Sequence, residues 1–262
     1  SIPGSVDAVL TPPANRVGWV VSTEPYLNHF DGPDIYAGYW DNKVYRGAMQ
    51  FDLQVVPTGA YLHHARLELT GRSDQFLGTS GSWTANLLDD DIDVGFALHG
   101  YSAINEATIE ASLLPVLGVI ELDAGHTNVF NFAAPHLAAL SARVAGSRLI
   151  SLRVDGPAAG NALNLFSWDT GYTETSLYAG PRLILNYSME APTAEPSLTP
   201  TDPAPPTDTP GPAETAPVPT EGPTATETST PEPPTPTDTP PPPPPTNTPT
   251  ATPVPTLGNP VQ

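Results

Sequence analysis

Four aspartates fall within the short run DDDID: Asp89, Asp90, Asp91 and Asp93. Carboxylates are hard oxygen ligands, and calcium takes about six to eight such oxygens. The run lacks the glycine-punctuated spacing of a helix–loop–helix calcium loop. It therefore reads first as a solvated acidic loop, with structural calcium as the one metal it admits and no other cofactor expected. A second chemistry is carried by aromatic rings, whose flat faces stack on the C–H faces of pyranose sugars. IYAGYWDNKVY offers Tyr39 and Trp40, and SWDTGY offers Trp168 and Tyr172; of these, Trp40 and Tyr172 lie beside Gly, Asp or Asn of the kind found in loops. Core packing is the competing reading for all four rings, and it is the reading adopted for Tyr45, which sits in an alternating strand.

Catalytic chemistry is harder to find. The six histidines are His29, His63, His64, His99, His126 and His136. His63 and His64 are adjacent on a predicted strand, so they point to opposite faces and do not chelate one ion together. No H-E-x-x-H helix motif and no G-x-S-x-G turn occurs. Carboxylates are plentiful, but no spacing singles out an acid–base pair. The chain is expected not to be an enzyme.

The elements that would position these residues are strands. VDAVL (Val6–Leu10) and VGWVV (Val17–Val21) are short β-rich runs. VYRGAMQFDL (Val44–Leu53) alternates, with Tyr45, Met49, Phe51 and Leu53 on one face and Arg46, Gln50 and Asp52 on the other. After the turn VPTG, AYLHHARLELT alternates again, with Tyr61, Ala65, Leu67 and Leu69 together. Further strands are predicted at 83–88, 117–122, 127–132, 148–154, 162–168 and 181–187. Helices are predicted over Asn105–Leu114, stopped by Pro115, and over Ala134–Gly146, with Pro135 near its start and a glycine stop. Many short strands separated by turn signals predict an all-β fold, an antiparallel jelly-roll sandwich with one or two short helices.

RGAMQFDLQVVPTGAYLHHARLELT resembles the core motif of the DNRLRE domain family. There an Arg-initiated strand ending in F-D-L leads through a P-x-G-A turn into an A-x-L-x-L strand. The closing stretch, RLISLRV followed by FSWDTGYTETSLYAGPRLILNY, is similar to that family's last strands, with looser spacing around FSWDT. The resemblance spans roughly Val6 to Tyr187. It implies an extracellular β-jelly-roll of bacterial surface proteins, some relatives being carbohydrate-binding modules for acidic polysaccharides. An acidic ligand would require a local basic groove, with Lys43 and Arg46 as the nearest candidates, because residues 1–190 carry nine bases against twenty acids.

The chain divides by composition at about residue 189. Residues 1–189 have the size of one domain with a real core. Residues 190–262 hold 25 of the 35 prolines, 19 threonines and spaced single acids, with no Lys, Arg, His or aromatic residue. Such a segment cannot bury enough apolar surface to offset its ordering entropy. It is expected to form an extended polyproline-II rod, about 3.1 Å per residue and roughly 220 Å in all. Its densest part carries Pro236, Pro240, Pro241, Pro242, Pro243, Pro244, Pro245, Pro249, Pro253 and Pro255 as candidate assembly residues. Thr237, Thr239, Thr246, Thr248, Thr250 and Thr252 are candidate O-glycosylation sites.

The formal net charge of −19 argues against nucleic acid and anionic membrane as partners. The absence of cysteine excludes disulfides and thiolate metal sites. No apolar run reaches the length of a membrane span. A start at Ser1 rather than Met points to a mature form after signal-peptide removal, and with the Thr/Pro-rich tail this predicts an extracellular or cell-surface location. The leading functional expectation is a structural subunit of an extracellular filament or surface assembly, polymerising with itself through the tail. The alternative is a stalked carbohydrate-binding module that recognises a cell-surface or environmental polysaccharide.

Overall fold

In the computed structural model, which describes residues 4–159 and 163–191, the elements run as follows. Strands β1 (Val6–Leu10), β2 (Val17–Val21), β3 (His29–Phe30), β4 (Asp34–Trp40), β5 (Lys43–Asp52), β6 (Tyr61–Ser73) and β7 (Ser82–Leu88) come first. Helix α1 (Tyr101–Glu106), β8 (Ile109–Ser112), β9 (Leu117–Gly118), β10 (Thr127–Asn131) and helix α2 (Ala134–Ala145) follow. β11 (Leu149–Asp155), β12 (Asn164–Asp169) and β13 (Arg182–Ser188) close the fold. The tail positions singled out above, from Pro236 to Pro255, lie outside the described residues.

Every strand pairing is antiparallel, and the strands form two layers of an all-β sandwich. The first has the order β1-β13-β6-β10. The second runs β12-β4-β5-β11-β7-β8, with β2 on the other edge of β5 and β3 beyond it. β6 joins the layers. Its first part pairs with β13, and Gly71 and Ser73 near its end pair with β12. The predicted alternation explains the layering, because a period of two sends every second side chain inward. Leu67, Leu69, Phe130, Leu183 and Leu185 of the first layer meet Met49, Phe51, Ile150, Leu152 and Phe166 of the second in one core. Each such side chain contributes about 1.5–3 kcal/mol on leaving water.

Two buried tryptophans lock the core with polar contacts as well as area. The Trp83 indole N–H donates to the Ala37 carbonyl at 2.9 Å. That of Trp168, on β12, donates to Asn128 Oδ1 on β10 at 2.8 Å, tying one layer to the other. Arg148, at φ 61°, places its guanidinium on the carbonyls of Leu53 (3.0 Å), Gln54 (3.1 Å) and Val56 (2.6 Å), closing the turn after β5.

Three local expectations need correction. The helix predicted over Asn105–Leu114 ends at Glu106, and Ile109–Ser112 is strand β8, drawn into pairing by the open edge of β7. The strand predicted over 117–122 is extended only at Leu117–Gly118; Val119–Glu121 turn as a 3-10 helix, with Ile120 90% exposed. Trp40, whose neighbours read from sequence as loop-like, is the last residue of strand β4 (Asp34–Trp40). There Ile35 and Ala37 enter the core, while Tyr36 and Trp40 belong to a second cluster.

Candidate ligand-binding face

That second cluster is aromatic and stands apart from the main core. Its buried floor is Val21, Tyr45 and Leu165, and Trp19, Tyr36, Trp40 and Phe76 pack on it while half-buried. β2 delivers Trp19, β4 delivers Tyr36 and Trp40, β5 delivers Tyr45, and the turn after β6 supplies Phe76. Trp19 packs edge-on to Tyr36 and tilted to Tyr45, each with ring centres 5.4 Å apart. The His29 imidazole stacks on its indole at 3.7 Å, with the planes only 8° from parallel. Trp40 leans on Phe76 at 5.2 Å. Offset and edge-on pairs like these are each worth about 0.5–1.5 kcal/mol beyond burial.

Local sequence explains why Trp40 sits at the end of this array. Asp41 and Asn42 both have positive φ, 51° and 59°. They form the two-residue turn of a β-hairpin in which Trp40 faces Lys43. Such turns need left-handed backbone at both central positions, which Asp and Asn tolerate best after glycine. The Tyr39 hydroxyl donates to Asn42 Oδ1 at 3.1 Å across the same turn. Along β4, Tyr36 and Trp40 are separated by about 13 Å at a strand rise of about 3.3 Å per residue, and the residue between them on that face is Gly38. A Cβ on Gly38, whose φ is 131°, would lie 1.9 Å from the Asn164 carbonyl oxygen of β12, so only glycine permits this pairing.

The charges around the rings are paired. Glu24 meets the His29 imidazole at 2.7 Å, and Asp41 meets Lys43 at 3.5 Å. Arg72 bonds Asp34 at 2.9 Å and reaches Asp169 at 3.4 Å. Burial pushes the Asp34 carboxyl above its ordinary range, against the pull of Arg72. Burial, and then the neighbouring Asp34, push the Tyr36 phenol up to about 12, so it stays neutral. The basic groove expected near Lys43 and Arg46 is not formed: Arg46 has only 13% of its side chain exposed and is held by Asp155 at 3.2 Å.

The sequence candidates for sugar stacking separate. Trp40 lies on this face, whereas Tyr39, its neighbour on β4, falls on the opposite side of the strand with Ile35 and Ala37 and is outside the ring cluster. Trp168 is outside it too; it is fully buried and has no face to offer a ligand. Its inward turn follows from the β12 alternation that also buries Phe166, which the SWDTGY reading missed. Tyr172 is 44% exposed on the loop after β12, and its hydroxyl donates to the Pro12 carbonyl, outside the ring cluster. Trp19, His29, Tyr36 and Phe76 escaped the sequence reading. The alternation in DIYAGYW was the available signal for Tyr36, whereas no local pattern links residues 19, 29 and 76.

The predicted metal quartet also divides. Carboxylate oxygens of Asp89, Asp90 and Asp91 lie within 4.8 Å of one another at the surface. Asp93 turns inward, only 3% exposed, where it binds Arg143 at 2.8 Å and the Ser151 hydroxyl at 2.6 Å. It cannot join the others on one ion. Asp89 Oδ1 instead accepts the Asp91 N–H and caps the short 3-10 turn that follows.

A further depression, about 280 Å³, lies at β6, β10 and β13 and is lined in part by His64, Arg66, Asn131 and Asn186. Beside it, Arg66 and Arg182 share one carboxylate, that of Glu68, at 2.9 and 3.4 Å. His63, pointing elsewhere, bonds the Ser188 hydroxyl at 2.8 Å. Among the described residues, no helix is long and apolar enough to cross a membrane. No family model matches the chain, and no curated protein matches it.

Proposed function

We propose that the sandwich is a non-catalytic carbohydrate-binding module of an exported protein, and that it holds its ligand on the aromatic face of β2, β4 and β5. The observation that carries this reading is the half-buried ring array of Trp19, Tyr36, Trp40 and Phe76, set outside the main core. Flat rings with polar groups at their rim are what a sugar site requires: apolar contact for affinity and a few placed hydrogen-bonding groups for orientation. The resemblance of the β5–β6 segment to the DNRLRE motif points the same way, since some members of that family bind polysaccharide. Affinity electrophoresis of the full chain through gels containing a panel of soluble polysaccharides tests it. Retardation by at least one polysaccharide, weakened by Trp40→Ala, supports the reading; mobility unchanged in every gel rejects it.

A second reading, compatible with the first, concerns the tail. Its 25 prolines, 19 threonines and nine separated acids suit a pre-extended strut that loses little entropy on docking. We propose that residues 190–262 mediate assembly with other copies into a filament or surface layer. Electron microscopy and light scattering of the full chain, compared with a variant ending at Ala191, test this. Assemblies that disappear with the tail support it, and identical monomers in both samples exclude it.

A further inference from the structure

The charges that frame the aromatic face select among glycans. Exposed carboxylates stand at both ends of the array: the Glu24 side chain is 39% exposed and that of Asp41 is 61% exposed. The cations nearby are already engaged. Lys43 lies against Asp41, Arg46 is turned toward Asp155, and Arg72 is 16% exposed between Asp34 and Asp169, with a further bond to the Thr175 carbonyl at 2.6 Å. The phenol of Tyr36 contributes a hydroxyl and no charge. A chain of uronic acids laid along these rings would therefore meet carboxylates, and the Lys43 ammonium and the Arg46 and Arg72 guanidinium groups each already face a carboxylate among the described residues. Like charges opposed at a partly desolvated surface weaken binding.

Accepting the glycan-binding reading above, on which this rests, we infer that the aromatic face takes a neutral polysaccharide, its sugar rings stacked between Tyr36 and Trp40 and its hydroxyls donating to Asp41 and Glu24. Carboxylates accept hydrogen bonds from sugar hydroxyls strongly, so the acids that repel a uronate hold a neutral chain. The roughly 13 Å from Tyr36 to Trp40 along the strand accommodates more than one sugar ring, which favours a polymer over a monosaccharide. The specificity thus differs from the acidic polysaccharides that the family resemblance implies.

The test is affinity electrophoresis of the full chain in gels of hydroxyethyl cellulose, arabinoxylan or galactomannan, set against alginate and polygalacturonate, at low and high salt. Expected is retardation in at least one neutral gel, insensitive to salt because no ion pair forms, and weakened about tenfold or more by Trp40→Ala, as loss of a stacking contact of about 1.4 kcal/mol implies. Asp41→Lys should weaken the neutral interaction and introduce retardation in polygalacturonate. Retardation in acidic gels alone, relieved by salt and by Arg66→Ala but not by Trp40→Ala, would overturn the inference and leave a glycan-binding module with its site at the β6–β13 depression. No retardation in any gel, with Trp40→Ala instead dissolving a dimer seen by light scattering, would overturn both and make the face a contact between copies. Circular dichroism of each variant separates lost binding from lost folding.

Discussion

Arg143 on α2 and Asp93 in the turn after β7 meet at 2.8 Å with their side chains 6% and 2% exposed, respectively. The pair fastens the long helix to the second layer of the sandwich. Arg143 also donates to the Leu88 carbonyl and to Glu110 on β8, and Asp93 accepts from Ser151 on β11. Four segments distant in sequence therefore share one charged node, and the acidic run of the sequence is divided by it: Asp93 serves the fold while Asp89, Asp90 and Asp91 remain at the surface.

Removing one member of this node leaves the other charged and buried. Arg143→Met is expected to cost about 3–5 kcal/mol. The Asp93→Asn, Arg143→Met double variant should lose clearly less than the sum of the two single changes, because their contacts are shared. Urea unfolding of the four proteins measures this, and additive losses would show that the pair is not coupled.

Two buried aspartates should respond to acid in opposite directions. Burial raises the Asp93 carboxyl above its ordinary 3.8, only partly offset by Ser151, Arg143 and Gln50. Its contribution is full below that value and is lost as pH rises through the raised folded value. Relative to Asp93→Asn, the wild type should gain stability as pH is lowered from neutrality toward about 3.8.

Asp169 is also pushed up by burial, but the N–H groups of Gly171, Leu177 and Tyr178 and the Ser176 hydroxyl outweigh this and hold it below 3.8. Its contribution is present above 3.8 and is lost as pH falls below that. Relative to Asp169→Asn, the wild type should lose stability only in that more acidic range. Unfolding free energies of the three proteins across the acid range decide the matter, and parallel curves would contradict both assignments.

The four tryptophans should divide by burial. Trp168→Ala removes a fully buried ring and its bond to Asn128, and is expected to cost about 3–5 kcal/mol. Trp40→Ala removes contact with Phe76 at the surface and should cost about 1 kcal/mol, while weakening retardation by polysaccharide about tenfold or more. Thermal unfolding and affinity electrophoresis, run together, test the contrast. Equal destabilisation would place Trp40 in the core instead.

Tyr36 titrates late because burial and then Asp34 oppose its ionisation, holding it at about 12. Spectrophotometric titration of the phenols should therefore lose its most alkaline component in Tyr36→Phe and keep the rest. A Tyr36→Phe curve unchanged in that limb would mean another tyrosine is the protected one.

Much of this fold is legible in the sequence, for a physical reason. Strands with one buried face declare themselves by alternation, and β5 and β6 carried it in Met49, Phe51, Ala65, Leu67 and Leu69. Helix α2 announced itself through Pro135 and Gly146. Segments whose state depends on a neighbour were less legible. Ile109–Ser112 follows a helix and reads as its continuation, yet the open edge of β7 makes it a strand.

The sequence alone also determined the division by composition, the acidity and the absence of thiol chemistry, since these depend only on which residues are present. It marked Tyr39 and Trp40 as candidates for sugar contact because Asp41 and Asn42 write a turn locally. That only Trp40 of the two would reach the ring cluster, and which other rings would join it there, was decided only by tertiary structure. Trp19, His29, Tyr36 and Phe76 come from four separate segments and meet because β2 and β4 lie on opposite edges of β5. The pleat of β12 turned Trp168 inward, and helix α2 drew Asp93 away from its neighbours. Burial, ion pairing and the sharing of a face are relations between distant residues, and they exist only once the strands have found their register.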